Sequence, residues 1–136
     1  MAFVLDNSVT MAWCFEDERN DYALSVLARL RGEEAVAPAI WPLEVVNVLL
    51  VAERRRRLRN GQIMDVLEEL ATLAITVDEE GTTKAWGPVL GLARAYRLTA
   101  YDASYLELSY RLSLPLATLD KDLRTAASRL GVALVA

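Results

Sequence analysis

The fold is decided by the stretch Phe3-Val4-Leu5-Asp6, in which a short apolar run ends at an acid. Three consecutive apolar residues lack the alternation of a half-exposed strand, and they are typical of a strand that is buried on both faces of a parallel sheet. Parallel neighbours are joined by crossovers that usually contain a helix. The stretch therefore predicts that strands and helices alternate along the rest of the chain.

Segments further along the chain follow this alternation. Strands are predicted at 35–38, 74–78, 114–120 and 132–136, and helices at 22–31, 42–58, 61–73, 82–97, 103–112 and 121–130. The helix at 22–31 should bury one side, which carries Leu24, Leu27, Ala28 and Leu30. The pattern predicts an α/β fold of three layers, α/β/α, with a central, mostly parallel sheet. A chain of 136 residues is long enough to form one domain over 1–136.

The composition limits the chemistry that the chain can perform. It has no histidine, a single cysteine (Cys14), and 15 basic against 19 acidic residues. The lack of histidine excludes imidazole bases, Ser-His-Asp triads and His-bearing zinc sites, and the common glycine-rich phosphate loops are missing. The lone cysteine, together with the lack of a signal peptide or of a span of ~18 apolar residues, predicts a cytoplasmic protein without a membrane segment.

Acids stand where several of the predicted strands end. Asp6, Asp78 and Asp120 each follow a strand, and ligands of such folds bind beyond the carboxyl ends of the strands. Capping of the next helix is the simplest role for Asp6 and Asp120, and Asp102 is equally well placed to cap the helix after it. We interpret Asp78 as a solvated loop acid, together with the two glutamates that follow it.

Glu44 needs a different explanation, because it interrupts the apolar run WPLEVVNVLL at 41–50. A glutamate is rarely buried without a partner. An ion pair with a buried arginine is one possible explanation. Asn47 lies one turn further along the same helix face, so this face should present a small polar stripe to the interior.

A bound cation explains four of these acids together. The four acids, as we call them below, are Asp6, Glu44, Asp102 and Asp120. If they converge at one edge of the sheet, their charges repel unless some are protonated or a multivalent cation neutralises them. Ligands that are all oxygen select Mg²⁺ or Mn²⁺ over zinc or copper. An ion held by carboxylates beside open water positions is suited to the hydrolysis of phosphodiesters.

The segments that carry the four acids resemble the motifs of PIN domains. FVLDNSVTMAW (3–13) is similar to the family's opening strand and acid, with a hydroxyl at Ser8, and WPLEVVNVLL (41–50) is similar to its second motif, a Glu with Asn at plus three. LTAYDASYLELSYRLSLPLATLDKDL (98–123) resembles the region of its third and fourth acids, with Thr118 shortly before the last. The resemblance spans essentially the whole chain and lies closest to the VapC toxins of bacterial toxin–antitoxin pairs.

This resemblance implies a Mg²⁺- or Mn²⁺-dependent endoribonuclease, the toxin of such a pair, whose catalytic and metal-ligating residues are the four acids. It also implies a homodimer, a VapB-like antitoxin that silences the enzyme, and a larger toxin–antitoxin complex. Ser8, Asn47 and Thr118 would orient the carboxylates or the waters around the ion. Asp122 stays open, because it could share the fourth role with Asp120 or add charge to the first turn of a helix.

Four consecutive arginines close the segment that contains Glu44. They are Arg54, Arg55, Arg56 and Arg57. They form either the solvated end of a helix, where cations are favourable, or a patch that holds RNA phosphates, for which the guanidinium group is well suited. Nearer the first strand, Trp13 and Phe15 are candidates for a groove that takes an antitoxin segment.

Three other functions compete with a nuclease. The segment DNSVT (6–10) is close to the Asp-x-Asp-x-Thr signature of haloacid dehalogenase-type phosphatases, but Ser8 stands where the second acid is required. A phospho-acceptor receiver domain would need paired acids after the first strand and an acceptor at a middle strand, whereas Asp102 follows a predicted helix. A non-catalytic PIN-like binding module would be favoured by the loss of one of the four acids, and none is lost.

Overall fold

The computed structural model describes residues 1–136, and its strands and helices alternate as predicted. The strands are β1 (Ala2–Leu5), β2 (Glu34–Pro38), β3 (Ile75–Asp78) and β4 (Leu116–Ala117). The helices are α1 (Asn7–Cys14), α2 (Asp21–Arg29), α3 (Trp41–Arg54), α4 (Gln62–Ala71), α5 (Leu90–Tyr96), α6 (Ala100–Leu112) and α7 (Lys121–Leu130). None of these helices is long and apolar enough to cross a membrane.

The four strands form one sheet in the order β3-β2-β1-β4, and every pair of neighbours is parallel. The predicted α/β fold with a central parallel sheet flanked by helices is confirmed. Phe3, Val4 and Leu5 are completely buried, as an apolar run on a central strand requires. Leu5 lies beside Ala117 of β4, and the next backbone N–H, that of Asp6, donates to the Ala117 carbonyl at 3.0 Å. The chain segments after β1 and β4 therefore leave the sheet side by side.

The core joins the sheet to helices α3 and α6. Trp41, Val45 and Leu49 form the buried stripe of α3, with the spacing of four residues that one helix face needs. The Trp41 indole Nε1 donates to the Thr10 hydroxyl at 3.0 Å, which ties α3 to α1. Helix α6 packs directly against β1, β2 and β4. The residues that start α3 and α6 are thereby fixed next to the carboxyl edge of β1.

Three predicted elements are wrong in extent. The strand predicted at 114–120 contains only Leu116–Ala117. The strand predicted at 132–136 is reduced to a single bridge, in which Leu134 pairs in parallel with Leu116. The helix predicted at 82–97 is broken into a 3₁₀ turn (Glu80–Lys84), a π turn (Ala85–Val89) and then α5. Pro88 lies inside the π turn, and since proline has no backbone N–H, it cannot continue a regular α-helical ladder.

The side of α2 that was predicted to be buried and the predicted end of α3 are also wrong. Helix α2 buries Ala23 and Val26, while Leu24 and Ala28 are exposed. Its buried side thus carries its smaller apolar residues. Helix α3 ends at Arg54 instead of near residue 58, because the backbone leaves the helical region and reaches a φ of 60° at Arg56.

Candidate active site

Asp6 lies at the carboxyl end of β1 and is 4% exposed. Three donors converge on its Oδ2 atom: the Ser8 hydroxyl at 2.5 Å, the Thr118 hydroxyl at 2.9 Å and the Ser8 backbone N–H at 3.3 Å. Its Oδ1 atom accepts no hydrogen bond within the protein. Burial raises the pKa of Asp6, the bonds from Ser8 and Thr118 act in the opposite direction, and the charge of Asp120 raises the pKa further. Asp6 also caps α1, as predicted.

The hydroxyls of Ser8 and Thr118 connect the two chain segments that leave the sheet together. Each hydroxyl donates to Asp6 and accepts a backbone N–H at 3.0 Å, from Leu119 in the case of Ser8 and from Asp120 in the case of Thr118. A hydroxyl group can do both at once, since it has one proton and two lone pairs. The two side chains therefore hold Asp6 and Asp120 in a fixed relation to each other.

Asp120 caps α7 and accepts the Leu123 backbone N–H on Oδ1 at 2.9 Å, as predicted for a capping acid. Its Oδ2 atom accepts no hydrogen bond. Asp122 lies two residues further, in the first turn of α7, and is exposed. The charge of Asp120 raises the pKa of both Asp6 and Asp102, whereas that of Asp122 acts on Asp102 alone. This difference favours Asp120 over Asp122 as the fourth acid of the set.

Glu44 lies in the first turn of α3, because this helix begins at Trp41, and it is half-buried. No arginine or lysine pairs with it. Its Oε1 atom instead accepts the hydroxyl proton of Tyr105, a residue of α6, at 2.5 Å. Burial raises the pKa of Glu44, the bond from Tyr105 lowers it, and the charges of Asp6 and Asp102 raise it.

The prediction that Glu44 and Asn47 form an inward polar stripe is wrong for Asn47. Asn47 is exposed and its side chain makes no hydrogen bond in the structure. Residues three apart on a helix are about 60° from alignment, and the buried stripe of α3 runs through Val45 and Leu49. This rotation leaves Glu44 at the border of the interior and carries Asn47 into solvent.

Asp102 lies in the first turn of α6 and is half-buried. The prediction that it caps this helix is wrong, because the helix begins earlier and Thr99 caps it by accepting the Asp102 backbone N–H at 3.1 Å. The carboxylate of Asp102 makes no hydrogen bond. Burial raises its pKa to about 6, together with the charges of Asp6, Asp120 and Asp122.

Each of the four acids thus lies within electrostatic reach of at least two others, with Asp6 and Asp102 acting on Glu44 and Asp120 acting on Asp6 and Asp102. None of the four has a salt bridge. All salt bridges of the protein involve other acids. Arg124 lies close by, but its guanidinium donates to the Thr118 carbonyl at 2.7 Å and lies over the Tyr22 ring. A set of oxygen donors with uncompensated negative charge fits the chemistry of Mg²⁺ or Mn²⁺.

The side chains as they stand do not form a finished metal cage. No group of three or more histidine, cysteine, aspartate or glutamate residues is arranged so that it could hold a metal ion. Three of the four acids nevertheless have one carboxylate oxygen held by the protein and one without a protein partner. Binding would require the unpartnered oxygens to close around the ion by side-chain rotation.

Asp78 lies away from this set, and its interpretation as a solvated loop acid is wrong. Its side chain is 11% exposed and binds Arg111 of α6 at 2.7 Å. Arg111 also binds Glu107 one turn earlier, at 2.9 Å. Burial acts to raise the pKa of Asp78, but the hydrogen bond and charge of Arg111 outweigh it and the pKa is lowered. Asp78 is therefore part of a structural ion-pair network.

The four arginines do not share one environment. Arg57 binds Asp17 and Glu18, each at 3.1 Å, and its guanidinium lies 4.3 Å from the centre of the Phe15 ring. The other three are exposed and form no ion pair. Phe15 is buried beneath Arg57, which leaves it unable to line a groove. Trp13 is half-buried and does line one, together with residues of α2 and α4.

Tyr105 and Arg124 are the site residues that the sequence did not reveal. Tyr105 lies three residues after Asp102 on α6, so the two side chains are neighbours about one turn apart along the helix. This spacing is the feature of the sequence that could have indicated a role for Tyr105 at the site. Arg124 binds a backbone carbonyl of a segment that it follows by six residues, and no pattern in the sequence indicates such a contact.

Similarity to known proteins extends over most of the chain. A family model described as the PIN domain matches residues 3–128. Ribonuclease VapC3 of Pyrobaculum aerophilum is 28% identical over 123 residues, which are 90% of this chain and 92% of the relative.

Two solved structures are similar in fold. VapBC2 of Rickettsia felis, bound to a DNA fragment from its promoter, has a TM-score of 0.72 at 13% identity and covers 99% of this chain and 98% of that one. FitAcB of Neisseria gonorrhoeae has a TM-score of 0.54 at 19% identity, with coverages of 100% and 97%.

Proposed function

The chain belongs to the PIN domain family, and from that premise we propose that it is an endoribonuclease that cleaves RNA with Mg²⁺ or Mn²⁺ held by the four acids. We further propose that it is the toxin of a bacterial toxin–antitoxin pair and acts on cytoplasmic RNA. The similarity to ribonuclease VapC3 supports the activity. The observation that carries the proposal is that the pKa values of Asp6, Glu44 and Asp102 are each raised in part by the charge of a neighbouring acid, while the protein supplies no compensating cation.

The electrostatics support a divalent ion at this place. The pKa values of Asp6, Glu44 and Asp102 are all raised, and in each case a neighbouring acid contributes. At neutral pH such a set must either bind protons or accept a cation. A bound Mg²⁺ or Mn²⁺ would supply a Lewis acid that activates water and neutralises charge on a phosphodiester.

The protein's own residues would hold the geometry in which this chemistry takes place. Ser8 and Thr118 fix one oxygen of Asp6, and the first turn of α7 fixes one oxygen of Asp120. Each acid then offers its second oxygen in a restricted range of directions. Asp102, whose carboxylate is not tethered, is free to adjust and to complete the ligand set.

The substrate would reach the site from the far end of α3. Glu44 lies in the first turn of this helix and Arg54 is its last residue, so about 15 Å of helix separates them at 1.5 Å per residue. Arg54, Arg55 and Arg56 are exposed and unpaired, and such arginines suit phosphate groups. We propose that they hold RNA backbone away from the cleaved bond. Arg57 is excluded from this role by its ion pairs.

A VapB-like antitoxin and a second copy of the chain are the proposed protein partners, within a larger toxin–antitoxin complex. The structure of VapBC2 with promoter DNA supports this proposal, because the fold is shared along nearly the whole chain. The groove beside Trp13 also contains Leu27, Val66 and Leu70, and it would accept an apolar antitoxin segment. A basic antitoxin side chain at the four acids would replace the charge of the cation.

A non-catalytic binding module is the second candidate. It is favoured by one observation, namely that no three of the acids stand as a finished metal cage. The two candidates differ in their response to metal. A nuclease of the proposed kind is stabilised by Mg²⁺ or Mn²⁺, by about 2.7 kcal/mol when the ion is at a hundred times its Kd, whereas a non-catalytic module is not.

Expression in a bacterium that lacks the antitoxin tests the proposal. The wild-type chain should arrest growth, and the purified protein should cleave RNA in Mg²⁺ but not in EDTA. Asp6→Asn should abolish the arrest, the cleavage and most of the Mg²⁺-induced rise in Tm. Asp65→Asn, an exposed acid of α4, is the matched control and should leave all three unchanged. Full toxicity of a folded Asp6→Asn variant would refute the proposed site.

A further inference from the structure

Tyr105 places a hydroxyl group in the interior beside one of the four acids. The residue is completely buried on α6, and its hydroxyl donates to Glu44 Oε1 on α3 at 2.5 Å. This is the one hydrogen bond that the Glu44 side chain makes. It connects two helices whose first turns each contribute an acid to the site.

Packing alone does not account for a tyrosine at this position. The neighbouring buried residues of α6, Leu106 and Leu108, are apolar, and a phenylalanine would fill the same ring volume. A buried hydroxyl is costly unless it finds a hydrogen-bond partner. The polar atom is therefore explained by the carboxylate that it contacts.

Glu44 needs this contact more than the other tethered acids need theirs. Asp6 has three donors on one oxygen and Asp120 is held by the helix that it caps. A glutamate has one more rotatable bond than an aspartate and loses more conformational freedom when it is fixed. Since Glu44 is only half-buried, its carboxylate would otherwise be free to turn into solvent.

We propose that Tyr105 is a positioning residue, which holds Oε1 of Glu44 so that Oε2 is directed toward the place where the other three acids converge. The inference rests on the proposed function, because the orientation matters only if the acids act on a common ion. Helix α6 would then contribute both an acid of the site, Asp102, and, one turn later, the residue that positions Glu44.

The first test measures Mn²⁺ affinity directly, by electron paramagnetic resonance or calorimetry on the full chain without RNA. Tyr105→Phe removes the hydroxyl and keeps the ring, and it should weaken Mn²⁺ binding about 10-fold, as the loss of a group that orients a metal ligand typically does. Tyr110→Phe is the matched control, because Tyr110 lies on the same helix, is 61% exposed and makes no side-chain hydrogen bond. It should bind Mn²⁺ as the wild type does.

A double-mutant cycle with Glu44→Ala distinguishes positioning from a general structural role. If Tyr105 acts through Glu44, the Tyr105→Phe change should have no further effect on Mn²⁺ affinity once Glu44 is alanine. A 10-fold loss in both backgrounds would show that the hydroxyl acts by another route, and the proposal would be overturned.

A spectroscopic readout decides the matter even if Tyr105→Phe does not fold. 3-Fluorotyrosine incorporated at position 105 keeps the hydroxyl, and its ¹⁹F resonance should shift when Mg²⁺ is added, while the same label at position 110 should not respond. An unmoved resonance at position 105 under saturating Mg²⁺ would contradict the proposal.

The outcomes separate this inference from the proposed function. If the wild type binds no Mn²⁺, both are overturned. If the wild type binds Mn²⁺ and Asp6→Asn weakens the binding while Tyr105→Phe does not, the metal site stands and the positioning role of Tyr105 is refuted.

Discussion

Replacement of Asp102 by asparagine should stabilise the metal-free protein, although asparagine is a poorer residue for the first turn of a helix. The Asp102 carboxylate makes no hydrogen bond that asparagine would lose, and its pKa is raised from 3.8 to about 6. The folded state therefore holds the proton more tightly than the unfolded state. The group's contribution to stability is consequently lost as pH rises from about 4 to 6, and above that range the ionised carboxylate disfavours folding.

The size of the expected stabilisation follows from the change in the pKa of Asp102 on folding. A difference of about 2 pKa units corresponds to about 3 kcal/mol in a fully buried site, and solvent screening of a half-exposed group reduces this to about 1 kcal/mol. For a domain of this size that is a rise in Tm of about 3–5 °C. At pH 8 the full gain should appear, and at pH 5 about half of it, because the folded carboxyl is then largely protonated already.

The assay is thermal unfolding followed by circular dichroism in EDTA at pH 5 and pH 8. Asp65→Asn is the control, since Asp65 also lies in the first turn of a helix but is exposed on α4. It reports the loss of the helix-dipole interaction alone and should not raise Tm. A Tm of Asp102→Asn at or below that of the wild type at pH 8 would refute the reasoning that the ionised Asp102 carboxylate destabilises the folded state.

Two further predictions concern other parts of the molecule. Arg111→Ala should lower the free energy of unfolding in urea by about 3 kcal/mol, because it leaves buried carboxylates without their partner. Arg29 is more exposed, and Arg29→Ala should lower it by less than about 1 kcal/mol. Equal losses in the two variants would contradict the assignment of a buried network. Replacing Arg54 and Arg55 with alanine should weaken RNA binding in filter assays and flatten its salt dependence. Arg57→Ala should instead lower Tm with little change in the salt slope, and unchanged RNA affinity in the double variant would leave these arginines as a solvated helix end.

Much of the fold could be predicted because its strands are short apolar runs with clear ends. The three residues before Asp6 indicate a buried parallel strand without any knowledge of their neighbours, and the structure contains that strand. The C-terminal segment has a similar apolar composition but forms only one bridge, at Leu134. Composition could not separate the two cases, because the pairing of an edge strand depends on how closely the rest of the chain lets it approach.

The site was predictable where its parts are local and unpredictable where they are not. Asp6 and Asp120 cap the helices that follow them, and this pattern lies within a few residues of sequence. The ion pair of Asp78 could not be predicted, because its partner, Arg111, is 33 residues away and reaches it only through the packing of α6. The tether on Glu44 joins residues 61 apart, so it too depends on tertiary packing.

The pairing of β1 with β4 determines when the site can exist. Asp6 is held by Thr118, 112 residues later in the chain, and contacts of such sequence separation form late because a long loop must be closed first. During synthesis Asp6 is made long before Asp102 and Asp120. A nascent chain on a ribosome, surrounded by RNA, therefore carries an incomplete set of acids until α6 and α7 have been made and docked.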